Sequence, residues 1–360
     1  MSKTGKLTFA LFFILLTFGM VVLSSAGIVD AQKKFGDSNY YLVHQLLYGV
    51  IPGIIIMLVF YYIPTQRWRS WSIYILIVAL IMMVSVFIPG IGIGIKGAQR
   101  WINLGFITVQ PAEFLKFALV IYLAAWFAGS KGEARAKVSL LPFLLVLGFT
   151  AFLLAIQPDF GTLGIVIMIG IAIYFFSGAK ISHLMGLMAT FVILITVMSF
   201  LAPYRFDRIK TFINPHEDKQ GSSYHLNQSL IAIGSGGILG VGYGQSKQKE
   251  GFLPEPVGDS IFAIMIEEFG LLGGVTFIAL LVVFLFLLFL VGLQNHDMFS
   301  RLIVFGVAVW IGGQSFVNMA AITGLIPLTG IPLPLMSYGS SSMVSIMGAM
   351  GVVWRISKVT

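Results

Sequence analysis

Apolar runs long enough to cross a bilayer recur along almost the whole chain, and polar loops separate them. About 20 predominantly apolar residues span the hydrocarbon core as a helix. The pattern predicts ten transmembrane helices, at residues 7–28, 43–64, 71–89, 111–128, 139–156, 161–177, 182–202, 260–292, 300–321 and 340–354. We therefore expect an all-α polytopic membrane protein with a single integral membrane domain over residues 1–360. The longest interruption, residues 203–259, lies between spans seven and eight.

The first apolar run, residues 7–26, could be a signal peptide or a retained helix. It has no A-x-A-like cleavage site, so we interpret it as a retained first helix. The eighth run is long enough to tilt or to begin outside the bilayer. Cysteine is absent, so disulfides cannot stabilise the long loop.

The distribution of basic residues predicts the orientation of the helices. If the N-terminus is cytoplasmic, the inner segments contain Lys3, Lys6, Arg67, Arg69, Lys131, Arg135, Lys137, Lys180, Arg301, Arg355 and Lys358. The short outer loops contain only Lys33, Lys34, Lys96 and Arg100. Cytoplasmic loops of membrane proteins are enriched in Lys and Arg, so both termini are predicted to be cytoplasmic and residues 203–259 to form a large extracytoplasmic loop. The net charge of +8 is then explained by the basic residues that flank the spans and set the topology, and we expect no nucleic-acid partner.

The stretch from Gly251 to Gly270 concentrates acidic residues in a chain that is 58% apolar and 10% charged. Its carboxylates are Glu255, Asp259, Glu267 and Glu268. A charge at bilayer depth costs at least about 2.5 kcal/mol, so such clusters indicate function. Pro254 and Pro256 predict an extended approach to the eighth helix. Asp259 then falls at the positive end of the helix dipole. It is our candidate catalytic residue, and the alternative is that it only caps the helix.

Other unusual polar residues fall on the same predicted outer face. Glu113 and Lys116 are three residues apart and can pair on one helical face. That pair could act directly or could be a structural ion pair that makes two membrane charges tolerable. Asp159, in the segment QPDFGT, could belong to the site or be a turn or cap residue. Arg100 precedes both segments in an outer loop.

The long loop combines basic residues with a glycine run. Arg205, Arg208 and Lys210 open it, and six glycines lie between Gly234 and Gly244. The run does not join a strand to a helix, so it is not a dinucleotide-binding motif. It could be a flexible loop, or its amides could cradle a phosphate with help from Lys249. Residues 223–233 are amphipathic and could lie along the membrane interface.

The last outer loop contains Pro327, Pro332 and Pro334 and cannot be helical throughout. Irregular backbone at membrane depth is tolerated only where it is buried in protein or lines a cavity. We therefore expect this loop to form one wall of an outward-facing cavity. Polar side chains of the loop and of span nine would face that cavity: Ser337, Tyr338, Ser340, Ser341, Gln314 and Asn318. Gln314 and Asn318 could equally serve to join helices.

Taken together, these segments resemble the SEDS family, the shape, elongation, division and sporulation proteins that include FtsW, RodA and SpoVE. The resemblance runs through GAQRWINLG, QPAEFLK, QPDFGT, QSLIAIGSGGILGVGYGQSKQK, LPEPVGDSIFAIMIEEFG and PLPLMSYGSSS. The QSKQK segment resembles the division branch more than the elongation branch. The chain departs from the commoner T-D-F, QPSE and SYGGSS patterns at Gly258, Ser260, Ala112 and Ser340, which affects pocket shape more than chemistry.

The resemblance implies a peptidoglycan glycosyltransferase that polymerises lipid II on the outer face of the bacterial cytoplasmic membrane, for division or elongation. Asp259 matches the family's essential aspartate and would be the general base of an inverting transfer. Glu113, Lys116, Asp159 and Lys249 also match family motif residues. The residues expected to contact the substrate are Arg100, Glu113, Lys116, Asp159, Arg205, Arg208, Gln228, Ser246, Lys249, Gln314, Ser337 and Ser341. Basic groups or a divalent cation would stabilise the departing pyrophosphate.

The expected protein partner is a class B penicillin-binding protein, a transpeptidase with a single membrane span. Two other functions remain open: a flippase or transporter of a lipid-linked precursor, and a non-catalytic scaffold that recruits the transpeptidase. Buried charges and broken helices also mark transport pathways. A transporter site should lie at the midplane between repeats, whereas this chain has no internal repeat and its unusual carboxylates cluster outside. The five histidines show no zinc-ligand spacing, and no metal ligand can be assigned.

Overall fold

The computed structural model describes residues 2–95, 98–105, 107–129, 140–200, 212 and 222–359, without the side chains of 95, 192–200, 222 and 359. Several residues singled out above lie outside the described residues: Lys96, Lys131, Arg135, Lys137, Arg205, Arg208 and Lys210. Two of these, Arg205 and Arg208, are expected site residues, and their role stays a prediction.

A helix occupies each of the ten predicted positions. The helices are α1 (Lys3–Ala26), α2 (Ile28–Phe35), α3 (Tyr40–Gln45), α4 (Ile51–Tyr62), α5 (Thr65–Ser85), α6 (Pro111–Phe127), α7 (Leu140–Ile156), α8 (Phe160–Phe176), α9 (Ile181–Phe200), α10 (Ser222–Ser235), α11 (Ile261–Leu293), α12 (Met298–Ile322) and α13 (Ser340–Val359). A π-helical turn, Leu46–Val50, joins α3 to α4, and a 3₁₀ turn, Gln248–Glu250, follows α10.

Length and composition identify the chain as an integral membrane protein. Within the described residues, five helical segments are long and apolar enough to cross a bilayer: Lys3–Ala26, Tyr40–Tyr62, Thr65–Ser85, Ile261–Leu293 and Met298–Ile322. Three shorter segments are also apolar: Leu140–Ile156, Phe160–Phe176 and Ile181–Phe191. A crossing needs about 17 to 25 such residues. The number of ten crossings and the orientation of the termini stay predictions.

The structure corrects the all-α fold class, because the segment after α5 forms a small antiparallel sheet. Strands β1 (Gly92–Ile95), β2 (Ala98–Asn103) and β3 (Thr108–Val109) lie in the order β1-β2-β3. Ile93 is opposite Trp101, and Ile102 is opposite Val109. The β-branched isoleucines of β1, and Trp101 and Ile102 of β2, favour a strand over a helix. This sheet carries Arg100.

The interior of the bundle is formed mainly by α6, α8, α11, α12 and α13. Trp310 on α12, Tyr174 on α8 and Phe262 on α11 are among its largest fully buried side chains. α12 packs against α6, α8 and α11, while α1 packs against α11 and α13 packs against α4. Large apolar side chains on α4, α5 and α7 point outward, as lipid-facing positions require. This arrangement places α6, α11 and α12 side by side around the polar residues described below.

The eighth predicted span is not one continuous helix. Gly270 has φ 69° and ψ −173°, which divides α11 into residues 261–269 and 271–293. The backbone groups released at the break bond to residues 236–244, which we call the glycine loop. The amides of Val241 and Gly242 donate to the carbonyls of residues 267 and 268 at 2.9 and 3.0 Å, and those of residues 271 and 272 donate back to residues 237 and 238 at 2.9 and 3.1 Å.

The flexible-segment expectation stays a prediction, and the phosphate-cradle expectation is wrong at two positions of the glycine run. Its amides at positions 241 and 242 bond protein carbonyls. Unpaired backbone groups are costly inside a membrane, and this pairing satisfies them where the helix is broken. The glycine loop therefore has a structural role: it supplies hydrogen-bond partners to the backbone where α11 is broken.

Replacing Gly240 with Ala is expected to destabilise the protein by about 3 kcal/mol or more. Gly240 has φ 81°, and an added Cβ would lie 2.2 Å from the carbonyl oxygen of Glu268. Gly237 is the matched control, because it has φ 55° and an added Cβ there would meet nothing within 4 Å. Gly237→Ala should cost only the left-handed backbone penalty, about 1 to 2 kcal/mol. Thermal unfolding of the purified variants in detergent measures both, and equal losses would contradict the close packing at Gly240.

Candidate active site

Asp259 lies in a short irregular segment, residues 254–260, which we call the Asp259 loop. The backbone carbonyls of residues 257, 258 and 259 accept hydrogen bonds at 2.8, 2.7 and 2.8 Å, respectively. The donors are the Tyr338 amide, the Ser337 hydroxyl and the Asn318 side-chain amide. One side of the Asp259 loop is thus held by α12 and by the proline-containing loop 323–339.

The other side of the Asp259 loop is held through Ser260, which is the N-cap of α11. Its hydroxyl donates to the Pro254 carbonyl at 2.7 Å and lies 2.6 Å from His225 Nε2. The alternative that Asp259 caps the helix is therefore wrong, since Asp259 precedes the cap residue. The half-buried Asp259 still lies beside the N-terminal end of α11, where the helix dipole favours a negative charge.

The predicted extended approach to α11 is also wrong. Residues 251–260 form successive turns, and Glu255 has a positive φ of 49°. The Glu255 carbonyl accepts hydrogen bonds from the amides of Gly258 and Ser260 at 3.0 and 3.3 Å. The prolines rule out regular structure here, but these local hydrogen bonds select turns over an extended chain.

Glu113 and Lys116 form the predicted ion pair on α6. Lys116 Nζ lies 2.8 Å from Glu113 Oε1, and both side chains are almost fully buried, at 1% and 3% exposed. Lys116 also donates to Gln314 Oε1 at 2.7 Å and lies 5.1 Å from the centre of the Trp310 ring. Trp310 Nε1 donates to the same oxygen of Gln314 at 3.1 Å. A buried cation is thus matched by a carboxylate, an amide oxygen and an aromatic face.

Gln314 and Asn318 connect this buried cluster to the Asp259 loop. They are one turn apart on α12, as predicted, and both reach the proline-containing loop. Gln314 Nε2 donates to the Pro332 carbonyl at 2.9 Å, and Asn318 Nδ2 donates to the Ile331 carbonyl at 2.8 Å. Asn318 also holds the carbonyl of Asp259. One face of α12 therefore positions the ion pair, the loop 323–339 and Asp259 relative to one another.

Arg100 and Asp159, which are 59 positions apart, come together at the N-terminal end of α8. Arg100 Nη1 lies 3.8 Å from Asp159 Oδ1. Arg100 also donates to the carbonyls of Gln157, at 3.2 Å, and of Pro158. Asp159 is the N-cap of α8 and accepts a hydrogen bond from the Thr162 amide at 3.2 Å. The interpretation of Asp159 as a cap residue is confirmed, and its membership of the site stays a prediction although it faces Arg100.

Ser246 and Lys249 form a separate buried cluster with the first half of α11. Lys249 Nζ donates to Glu268 Oε1 at 2.7 Å and to Ser25 Oγ at 2.8 Å. Ser246 donates to Glu267 Oε2 at 2.5 Å. Both acidic residues, conspicuous in the sequence, thus hold the turn after the glycine loop against α1 and α11. Lys249 is only 4% exposed and already paired, so its charge is balanced within the protein.

A cavity of about 200 Å³ lies beside the Asp259 loop, between α2 and residues 251–257. Its charged lining comprises Asp30, Lys33, Lys34, Lys249 and Glu255. Lys34 pairs with Asp30 at 2.9 Å, and Lys33 donates to the Glu250 carbonyl at 2.8 Å. Asp259 does not line this cavity, which therefore adjoins the candidate base without containing it.

Tyr338 joins the Asp259 loop to α3. Burial raises the pKa of Tyr338 well above its usual range, and Tyr40 raises it further. The phenol therefore remains protonated at neutral pH, and its oxygen forms a hydrogen bond of 2.9 Å with His44 Nδ1. Tyr338 also packs edge-on against Tyr41, at 4.9 Å between ring centres. These contacts fix the start of α13 beside Asp259.

The remaining expected site residues are placed as follows. Ser337 accepts from the Leu333 amide at 2.8 Å, and Ser341 accepts from the Gln110 amide at 3.0 Å. Gln228 is half-buried on α10. No sequence pattern marks Ser25, Trp310 or His225 as neighbours of these groups. Of the groups around Ser246 and Lys249, Glu267 and Glu268 gave a signal in the sequence, namely charge within an apolar helix.

Comparison with known proteins gives a consistent result along the whole chain. A family model described as cell cycle protein, FtsW, RodA and SpoVE, matches residues 6–360. The chain is 38% identical over 349 residues to the stage V sporulation protein E of Bacillus subtilis, covering 96% of this chain and 94% of that protein. It is 34% identical over 351 residues to a probable peptidoglycan glycosyltransferase FtsW of Coxiella burnetii, with coverage of 96% and 94%.

Solved structures share the fold. A chain from a structure on the coordination of polymerization and crosslinking by a peptidoglycan synthase complex gives a TM-score of 0.77 at 25% identity, covering 95% of this chain and 96% of that one. The crystal structure of the rod shape determining protein RodA of Thermus thermophilus gives 0.72 at 24% identity, with coverage of 98% and 95%. The motifs, the family match and these relatives together show that the chain belongs to the FtsW, RodA and SpoVE family of cell cycle proteins.

Proposed function

We propose that Asp259 is the general base with which this membrane protein, a peptidoglycan glycosyltransferase, polymerises lipid II. The observation that carries the proposal is the fixed geometry of the Asp259 loop. Three successive backbone carbonyls of the loop are held by hydrogen bonds, and its carboxylate lies at a helix N-terminus. A base must be held within reach of the proton it removes, and such positioning is what this loop provides.

The proposed step is a single inverting displacement. The Asp259 carboxylate takes the proton of the acceptor sugar's hydroxyl as that oxygen attacks the anomeric carbon of the donor. The bond from this carbon to the pyrophosphate oxygen breaks, and the lipid pyrophosphate leaves with the electron pair. One carboxylate suffices, because inversion needs no covalent nucleophile and the pyrophosphate leaves as an anion without needing a carboxylic acid to protonate it.

The leaving group requires positive charge, and among the three described cations expected to contact the substrate, Arg100, Lys116 and Lys249, only Arg100 is partly exposed. The Arg100 side chain is 32% exposed on the face that also carries Asp159. Lys116 and Lys249 are almost fully buried and paired with carboxylates, so we assign them to holding helices together. Arg205 and Arg208 keep the substrate-binding role that the family resemblance implies.

A divalent cation was the other group expected to stabilise the pyrophosphate. Across the described parts of the chain, no three His, Asp or Glu side chains lie together in a way that could hold a metal ion. Mg²⁺ in such sites is usually held by one or two carboxylates together with substrate phosphates, so the divalent cation stays a prediction without assigned ligands, and no step of the proposed reaction passes through one.

The proposed partner is a class B penicillin-binding protein in the same bacterial cytoplasmic membrane, with the active site on the outer face. Support comes from the similar chain in the solved peptidoglycan synthase complex and from the apolar helices. The polymer would then form on the side of the membrane where crosslinking takes place.

Reconstitution in vesicles with fluorescent lipid II tests the activity. The expected result is glycan chains resolved on a gel. The assay is run with this protein alone and with its partner, each with and without a chelator. Movement of lipid II across the vesicle membrane without polymer would favour the transporter alternative. Enhancement of the partner's crosslinking without polymer formation by this chain would favour the scaffold.

Single-cysteine labelling tests the proposed orientation, since the chain contains no cysteine. Glu255→Cys in the Asp259 loop should react with a membrane-impermeant maleimide in intact spheroplasts. Ser70→Cys, also exposed but next to basic residues predicted to be cytoplasmic, should react only after permeabilisation. The reverse pattern would place Asp259 on the cytoplasmic side and contradict the proposed function.

A further inference from the structure

We infer that His225 is a positioning residue for the transfer reaction, acting through Ser260 on the shape of the Asp259 loop. This inference rests on the proposed function. His225 lies on α10, which packs against α11, and its Nε2 is 2.6 Å from Ser260 Oγ. Ser260 directly follows Asp259 and begins α11, so the contact reaches the loop next to the proposed base.

The hydrogen-bond directions follow from the chemistry of the groups. The Pro254 carbonyl can only accept, so the 2.7 Å contact uses the single proton of the Ser260 hydroxyl. Ser260 Oγ must then accept from His225, which places a proton on Nε2. The chain of bonds runs from the imidazole N–H to the hydroxyl and on to the Pro254 carbonyl. It ties the first residue of the loop to the last.

The Asp259 loop needs this tie because its backbone is not held by regular secondary structure. Glu255 has a φ of 49°, a region that residues with a Cβ rarely adopt, and the turn around it depends on surrounding contacts. On one side those contacts come from Asn318, Ser337 and Tyr338. On the other side, the contact between His225 on α10 and Ser260 holds the last residue of the loop. The donors from Asn318, Ser337 and Tyr338 do not reach that residue.

A loosened loop moves the carboxylate relative to the acceptor hydroxyl. A displacement of about 1 Å can lower a rate by about 100-fold. His225→Leu removes the N–H donor and is expected to lower kcat by about 10-fold to 100-fold while leaving KM within about twofold, since the substrate pocket itself is unchanged. His225→Gln carries an amide N–H that can replace Nε2–H and is expected to restore most of kcat.

Ser260→Ala should lower kcat as His225→Leu does, and the double variant should be no slower than either single variant, because both remove one chain of bonds. Ser235→Ala on α10 is the matched control, since the Ser235 hydroxyl donates to the Ala232 carbonyl of its own helix, at 2.9 Å. It should leave kcat unchanged. A Gln variant as slow as the Leu variant, or fully additive losses, would overturn the inference.

Amide hydrogen exchange provides a readout that does not depend on activity. In His225→Leu and Ser260→Ala, peptides covering residues 252–262 should exchange faster than in the wild type, whereas Ser235→Ala should not change them. Unchanged exchange in either loop variant would overturn the inference. If His225→Leu does not fold, Ser260→Ala and the Gln variant decide. Absence of polymer from the wild type would count against the proposed function, and the exchange comparison would still test the tie.

Discussion

Asp259→Asn is expected to lower the rate of lipid II polymerisation by about 10² to 10⁴-fold, the range that a positioned general base contributes. The asparagine side chain has nearly the same shape but cannot take a proton from the acceptor hydroxyl. The hydrogen bonds from Asn318, Ser337 and Tyr338 reach backbone carbonyls of the loop, so they survive the substitution. Glycan chain formation from fluorescent lipid II in vesicles measures the loss.

Glu255→Gln is the matched control, because Glu255 is an exposed carboxylate in the same loop. It should polymerise at close to the wild-type rate if the effect belongs to Asp259 rather than to the charge of the loop. Thermal unfolding of the Asp259 variant should match the wild type. Normal polymer from a folded Asp259→Asn protein would remove this residue from the role of base.

Lys116→Met is expected to destabilise the protein by about 3 to 5 kcal/mol, because it leaves the Glu113 carboxylate buried without its cation. Glu113 and Lys116 are 3% and 1% exposed, and their charged atoms are 2.8 Å apart. Lys34→Met is a control at a similar distance, since Lys34 Nζ lies 2.9 Å from Asp30 but is 60% exposed. That exposed pair should contribute at most about 1 kcal/mol. Fluorescence-detected thermal unfolding compares the two.

The double variant Glu113→Gln, Lys116→Met separates the structural role of this pair from a direct one. It removes both buried charges, so most of the lost stability should return. Recovery of polymerisation along with stability would assign the pair to structure. A stable but inactive double variant would instead show that the pair acts in the reaction, and an unstable one would contradict the ion-pair argument.

Sequence patterns predicted those features that depend on neighbours along the chain. The ten helix positions follow from apolar runs, and the Glu113 to Lys116 pair follows from a spacing of three residues on a helix. The placement of Gln314 and Asn318 on one face of α12 follows from a spacing of four. These predictions hold because helical geometry alone fixes which side chains are adjacent.

Features that depend on distant partners could not be predicted in the same way. Ser25 contacts Glu268 across 243 positions, and His225 contacts Ser260 across 35. Glycine is common within membrane helices, so Gly270 by itself does not indicate a break. The break becomes tolerable only because the glycine loop supplies hydrogen-bond partners. The strand pairing that carries Arg100 was missed because its short, glycine-rich segments carry little hydrophobic signal.

The hydrogen bonds between the glycine loop and α11 restrict how this region can vary in evolution. The joint they form is made of main-chain groups, so exposed side chains such as those of Ile238 and Leu239, which are 67% and 77% exposed, can change without affecting it, whereas Gly240 cannot gain a Cβ. Chain length cannot change in the same way. One inserted or deleted residue between positions 237 and 242 would shift every donor past its acceptor. Related sequences should therefore differ here by substitution and keep the same number of residues.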